Sequence, residues 1–315
     1  MTTPIAFLFP GQGSQAVGMG KELAERYPVA RQTFEEADAA LGMALSHLCF
    51  EGPEDELRRT EITQPSILTV SVATWRVLAE QSVKPAWVAG HSLGEYSAHV
   101  AAGTLSFADA VRTVRNRGRY MQEAVPAGVG AMAAILGMEA DKVRAICGNA
   151  AQGEVCEAAN MNSPEQVVIS GHKAAVERAV ALATEQGAKK AVLLPVSAPF
   201  HCSLMLPAQH RLAQDLNSLQ IKNPATPVIC NVDAAIVETA DASRDALVRQ
   251  VTGTVRWDEC VRGLIAKGAE TFIEVGPGKV LWGLMRQIDR SKTSWQTSDD
   301  AVLQKTLQGL AQTPA

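Results

Sequence analysis

Gly90-His-Ser-Leu-Gly94 constrains this chain more than any other stretch of it. A G-x-S-x-G run between an apolar strand and a helix is the pattern of a nucleophile elbow, a turn sharp enough to hold its serine outward in a strained backbone conformation. The flanking glycines leave room where strand and helix cross. The helix start offers free backbone N–H groups, that of Leu93 among them, to a developing oxyanion. WVAG before the turn and EYSAHVAAG after it supply the strand and the helix. Five residues with three fixed positions also arise by chance, so a merely structural Ser92 in a tight turn is the competing reading.

The chain around the elbow alternates short apolar strands with helices. IAFLFP reads as a buried strand ended by Pro10 and Gly11, and the glycine-rich GQGSQAVGMG leads into a helix at Lys21–Tyr27. Thr63–Glu80 reads as a buried helix beginning near Pro65, and Ala86–Ala89 as a second buried strand. This alternation predicts an α/β fold with a mainly parallel sheet. Between about Pro126 and Val196 the character changes. Strands at Gly130–Leu136, Val167–Gly171 and Ala191–Val196, with helices near Asp141–Ala150 and Lys173–Gln186, predict a small α+β insert with its own sheet. After Ser197 the α/β pattern resumes with strand Val228–Val232, helices Ala242–Gln250 and Cys260–Lys267, and strand Thr271–Val275. The expected division is therefore a core of residues 1–126 and 197–315 around an insert of residues 127–196. The tail from Ser291 is polar, with a short helix available to Ala301–Leu310.

Composition excludes several classes. With 47% hydrophobic and 20% charged residues, the chain has enough apolar surface to build a sizeable core. A net charge of −4 gives no global basic field to draw it to nucleic acid or to a membrane. The first residues lack the pattern of a signal peptide, and no apolar run approaches the ~20 residues that span a bilayer, so a cytoplasmic location is expected. The six cysteines are scattered, with no C-x-x-C pair and no His at metal spacing, so buried thiols and no metal site are expected. Cys202 stands apart because it follows His201.

A serine nucleophile needs a base. Of the six histidines, His91 and His99 lie too close to the elbow to face it. His201, in VSAPFHC, follows an apolar strand and an extended approach set by Pro199, and strand ends are where the catalytic groups of open α/β sheets gather. It is the best candidate, with an ordinary surface histidine as the alternative. The elbow hydrolases usually place an acid between serine and histidine along the chain. No carboxylate in a suggestive strand-end context lies between Ser92 and His201, and a carbonyl can orient a histidine as well, since that requires only an acceptor for its N–H.

Ala108–Met121 reads as a helix with four arginines. On a helical wheel Arg112, Arg115 and Arg119 fall within about 60° of one another, whereas Arg117 lies roughly 140° from Arg112, beside the apolar arc. An arginine aimed toward a core meets an anion or bears a heavy desolvation cost. That anion is either a structural carboxylate or a substrate carboxylate held by the guanidinium fork, which would make the transferred acyl group a dicarboxylic half-acid.

Seven segments in register carry a family resemblance: GQGSQ at Gly11–Gln15, GHSLGE at Gly90–Glu95, RG-x-x-MQEAVP at Arg117–Pro126, NSP-x-QVVISG at Asn162–Gly171, PFH at Pro199–His201, DALVRQ at Asp245–Gln250 and EVGPGKVL at Glu274–Leu281. Together they resemble the bacterial malonyl-CoA:acyl carrier protein transacylases, the acyltransferase family of fatty-acid and polyketide synthesis. The resemblance implies an α/β-hydrolase-like core with an inserted ferredoxin-like subdomain. It implies Ser92 as nucleophile, His201 as base, and an oxyanion hole from the backbone N–H groups of Gln12 and Leu93. Arg117 corresponds to the clamp on the malonyl carboxylate, and the main-chain carbonyl of Gln250 to the group that orients the histidine. Gln64, Asn160 and Asn162 are further pocket candidates, and the bulk of Phe200 resembles the malonyl-selective pattern. Implied substrates are malonyl-CoA and acyl carrier protein, with no cofactor; no exposed apolar stripe stands out in the sequence, so a monomer is expected. An acidic carrier would meet a basic rim, for which Lys189, Lys190 and the Arg112–Arg119 stripe are candidates. A polyketide or malonate decarboxylase client, or a serine thioester hydrolase, are the rival readings.

Overall fold

The computed structural model describes residues 4–196 and 198–312. Ser197, at the expected 196/197 boundary, and the extreme ends of the expected core lie outside the described residues. The larger of two sheets has six strands in the order β10-β9-β1-β2-β7-β8. These are β1 (Ile5–Phe9), β2 (Trp87–Gly90), β7 (Val228–Ile229), β8 (Ile236–Val237), β9 (Thr271–Glu274) and β10 (Thr293–Gln296). Every pairing is parallel except β7 with β8.

Period-2 alternation along β1 explains why this sheet is covered on both sides. Phe7 and Phe9 belong to the main core, while Ala6 and Leu8 belong to a second cluster with Trp257, Val261 and Phe272. The main core is closed by helix Thr60–Glu80, which is buried on nearly every face. Two of its inward hydroxyls are satisfied by the helix itself, Thr69 Oγ1 donating to Pro65 O at 2.7 Å and Thr74 Oγ1 to Val70 O at 2.8 Å. The helix begins at Thr60, a turn earlier than the sequence predicts, and carries Pro65 inside it. So near the start, proline removes only the bond to the Glu61 carbonyl and the helix continues through it.

The smaller sheet, in the order β4-β5-β3-β6, is antiparallel: β3 (Gly130–Leu136), β4 (Cys156–Ser163), β5 (Gln166–His172) and β6 (Lys190–Leu193). With helices Ala140–Ala151 and Lys173–Glu185 between its strands, it has the β-α-β-β-α-β connectivity of a ferredoxin-like unit. Ile135, Val167 and Ile169 face those helices in a separate cluster, whereas Met132, Ala159 and Val168 face the main core.

Strand β4 is absent from the sequence-based reading. Its sequence, CEAANMNS, contains no β-branched or aromatic residue, so local propensity does not announce it. Pairing with β5 imposes it, with register irregularities at Ala158/Asn160 and Met161/Ser163. Its other edge is tied to the larger unit, where Val255 N donates to Ala159 O at 2.8 Å and Met161 N to Val255 O at 2.9 Å. Strand β6 stops at Leu193 and β7 at Ile229, both shorter than predicted. The polar tail is ordered as β10 and helix Asp300–Gln312. No helix of the described residues is long and apolar enough to cross a membrane.

Candidate active site

Ser92 sits between β2 and helix Gly94–Ala101 with φ +52°, in the left-handed region that a non-glycine residue enters only under tertiary constraint. The glycines of the elbow are required by close approach. A Cβ on Gly90 would lie 1.9 Å from the Gly94 carbonyl carbon, and one on Gly94 would lie 2.1 Å from the Phe9 oxygen. Polar side chains then hold the strained turn from both sides. Ser92 N donates to Asn231 Oδ1 at 2.7 Å, Asn231 Nδ2 to Gly90 O at 2.7 Å, and Gln250 Nε2 to Ser92 O at 2.9 Å.

His201, also at positive φ (+59°), closes onto this turn. Its Nδ1 lies 2.9 Å from Gln250 O. A carbonyl can only accept, so Nδ1 carries the hydrogen and Nε2 presents a lone pair. Ser92 Oγ donates to that Nε2 at 2.6 Å. Burial, reinforced by the charge of Arg117, pushes the His201 ring down to about 3, which leaves it a neutral acceptor. The backbone N–H groups of Gln12 and of Leu93, the residue after the serine, donate to no other group among the described residues. Ser92, His201 and the Gln250 carbonyl are thus assembled without a carboxylate against the histidine among the described residues.

One titration follows. The His201 ring and the fully buried His99, also held at about 3 by burial, stay neutral from pH 8 down to pH 5. In 13C-histidine NMR their ring signals should not move over that range, and a midpoint near 6.5 for His201 would contradict its burial. The sign for stability follows from the same depression. Their contribution is complete above about 6.5 and is lost as pH falls toward 3, because the unfolded chain takes up protons that these rings refuse.

Arg117 is 1% exposed and forms no ion pair among the described residues. Its Nη1 donates to Gln64 Oε1 at 2.9 Å, and its Nη2 donates to Gln250 Oε1 at 2.9 Å and to Ser92 Oγ at 3.1 Å. The guanidinium also lies over the Tyr96 ring, 5.7 Å from its centroid. Of the two anions open from the sequence, the structural carboxylate at contact distance is therefore missing. A buried cation anchored by neutral amides and pointed at the nucleophile is arranged for an anion that arrives with a ligand.

Other predicted residues fall into two groups. Gln64 is buried and joins the cluster through Arg117, and its Nε2 reaches Gln12 Oε1 at 3.3 Å. Phe200 is buried in the main core immediately before His201. Asn162 Oδ1 pairs with His91 Nε2 at 2.8 Å, so it meets the elbow through its second residue. Asn160 bridges Val255 through its backbone, and no side-chain hydrogen bond among the described residues ties it to Ser92, His201 or Arg117. The expected basic rim is largely occupied. Arg112 and Arg115 donate to Ala40 O and Leu41 O at the end of helix Pro28–Leu41, and Lys189 pairs with Glu165. All six cysteines are free and buried, and Cys202 donates to Pro199 O at 3.1 Å. Among the described residues no cluster of His, Cys, Asp and Glu could hold a metal ion.

Two residues were not singled out from the sequence. Asn231 follows β7 at its carboxyl end, where site residues of such sheets collect. Glu95 is a fully buried carboxylate in the first turn of the elbow helix, and burial raises its pKa to about 7. An acid as the only carboxylate in EYSAHVAAG was the available signal.

Comparison with known proteins gives one consistent answer. The acyl transferase domain family matches residues 6–308. The malonyl CoA-acyl carrier protein transacylase of Salmonella typhimurium is 51% identical over 306 residues, 97% of this chain and 99% of that protein. The solved malonyl CoA-acyl carrier protein transacylase of Coxiella burnetii superposes with a TM-score of 0.96 at 45% identity, covering 98% of each chain. A malonyl-transacylase solved in complex with its type II polyketide-synthase acyl carrier protein superposes with a TM-score of 0.95 at 46% identity, covering 97% of this chain and 99% of that one. With the elbow, the paired histidine and the inward arginine in place, the chain belongs to the acyl transferase domain family and, within it, to the malonyl CoA-acyl carrier protein transacylases.

Proposed function

We propose that this protein moves a malonyl group from malonyl-CoA to the phosphopantetheine thiol of acyl carrier protein through an ester on Ser92. In this reading it supplies fatty-acid synthesis as a cytoplasmic monomer without a resident cofactor. The observation that carries it is Arg117, a buried cation with no carboxylate partner, 3.1 Å from the Ser92 hydroxyl. A hydrolase of simple acyl groups has no use for a cation there.

The steps follow from the geometry. His201 Nε2 takes the Ser92 proton as Oγ attacks the thioester carbonyl, and the Gln12 and Leu93 amides receive the oxyanion. The tetrahedral intermediate expels the CoA sulfur, which leaves as the thiol with the proton from His201. The carrier thiol then gives its proton to His201 and attacks the malonyl ester, and Ser92 recovers its proton as it departs. A ring held at about 3 is a weak base in the free enzyme. The malonyl carboxylate on Arg117 offsets one of the influences that depress it, so substrate binding itself raises the basicity of His201. Phe200 adds bulk beside His201. Discrimination against one α-methyl group is worth ~1–3 kcal/mol, a preference and not an exclusion.

Intact-mass spectrometry after brief mixing with malonyl-CoA tests this reading. A single malonyl adduct on the peptide containing Ser92, discharged by holo acyl carrier protein, is the expected result, and methylmalonyl-CoA in competition should label less. Steady CoA release without an adduct or a carrier would convert the reading to a hydrolase. The similar polyketide complex makes a polyketide carrier the second client to try. Faster discharge by that carrier than by a fatty-acid one would reassign the pathway and leave the chemistry intact.

A further inference from the structure

Glu95 has no part in the transfer steps, yet it sits at the centre of the hydrogen bonds that shape the site. Its Oε2 accepts from Asn231 N and from Gln250 Nε2, both at 2.9 Å. Asn231 holds the N–H of Ser92 and Gln250 holds its C=O, so one carboxylate oxygen anchors both grips on the strained residue. Its other oxygen, Oε1, is buried and has no hydrogen-bond partner among the described residues.

The side-chain amide of Gln250 has two ends that differ chemically. Its nitrogen faces three acceptors, Ser92 O and Glu95 Oε2 at 2.9 Å and Asn231 Oδ1 at 3.4 Å, and its oxygen faces Arg117 Nη2. Reversed, the amide would set its oxygen against those oxygens and its N–H groups against the guanidinium, which has only donors to offer. Arg117 has two other polar anchors, Gln64 Oε1 and Ser92 Oγ. The second of these becomes an ester oxygen, a poor acceptor, once the acyl group is loaded. In the acyl-enzyme the arginine therefore depends on Gln64 and on a correctly turned Gln250.

We propose that Glu95 is a positioning residue for malonyl selectivity, fixing the Gln250 amide with its oxygen toward Arg117 so that the guanidinium stays aimed at the substrate carboxylate. This rests on the transfer reading above. Steady-state kcat/KM with malonyl-CoA and with acetyl-CoA, using holo carrier protein as acceptor, separates the possibilities. Glu95→Gln keeps an acceptor in place and puts an NH2 where Oε1 has no partner. It should keep the malonyl/acetyl ratio within about threefold of wild type. Glu95→Asp keeps the charge but draws the acceptor back by one methylene. It should lower the ratio about tenfold or more, through a raised malonyl KM, on top of whatever loss the loosened Ser92 turn imposes on both substrates alike. Glu95→Met, without an acceptor, carries the same expectation should the aspartate variant not fold.

A wild-type ratio in the aspartate or methionine variant would overturn the proposal, even with both rates reduced, because that is the signature of a merely structural acid. Loss of the ratio in Glu95→Gln would overturn it as well, by showing that charge and not amide orientation is what matters. If the wild type itself shows no malonyl preference, the transfer reading fails and takes this proposal with it.

Discussion

His201→Ala should lower kcat for malonyl transfer by about 10³-fold or more, toward the upper end of what a positioned general base supplies. Three features of the site argue for a large effect. Ser92 Oγ donates to His201 Nε2 at 2.6 Å, the ring is locked in its productive tautomer by Gln250 O at 2.9 Å, and no second base touches the hydroxyl. Arg117, the other group at hydrogen-bond distance from Oγ, is a donor and cannot take the proton. Ser92→Ala should abolish both transfer and the covalent adduct. Because the two residues act as a unit, the double variant should be no slower than the slower single one. Single-turnover transfer at saturating malonyl-CoA measures this directly. A His201→Ala enzyme within tenfold of wild type would mean that something other than this ring activates the serine.

Arg117→Ala should lower kcat/KM for malonyl-CoA by about 10²–10³-fold while acetyl-CoA loses far less. Removing one partner of a buried, hydrogen-bonded charge pair costs about 2–5 kcal/mol, which is the source of that range. The acetyl group has no carboxylate to lose. Moreover, Arg117 is one of the influences holding His201 down, so its removal makes the base stronger for any acyl donor. The variant therefore exchanges malonyl grip for a more basic histidine, and the two substrates should respond differently. Equal losses with both would show that the arginine maintains the fold of the pocket and does not read the carboxylate. Gln64 and Gln250, each left with an unused amide oxygen, set a stability cost that thermal unfolding of the variant would report separately.

How much of this was legible in the chain itself differs from residue to residue. The elbow could be read from five letters and their flanks because its requirements are local: a turn, two glycines without Cβ atoms, and a strand and helix adjacent in sequence. The same holds for Arg117, whose place on the helical wheel follows from its spacing alone, and for β3, whose apolar run matches the observed strand residue for residue. The residues alone marked the histidine as a candidate and only the family resemblance named it as the partner, since 109 residues separate Ser92 from His201 and the fold brings them to 2.6 Å.

Strand β4 was not legible, because its residues carry no strand propensity and its neighbour β5 dictates its conformation. The roles of Asn231, Glu95 and the Gln250 side chain were likewise hidden. Each is an unremarkable polar residue until hydrogen bonds from three distant segments converge on one buried point. The sequence by itself determined the fold class, the nucleophile and the inward cation, because periodicity and turn chemistry are short-range properties. The tertiary structure alone decided which neutral groups hold the arginine in place of a carboxylate, and it set the Gln250 carbonyl, which only the family resemblance had named, at 2.9 Å from the histidine. Those choices depend on distances and burial between segments far apart in the chain, which no local pattern encodes.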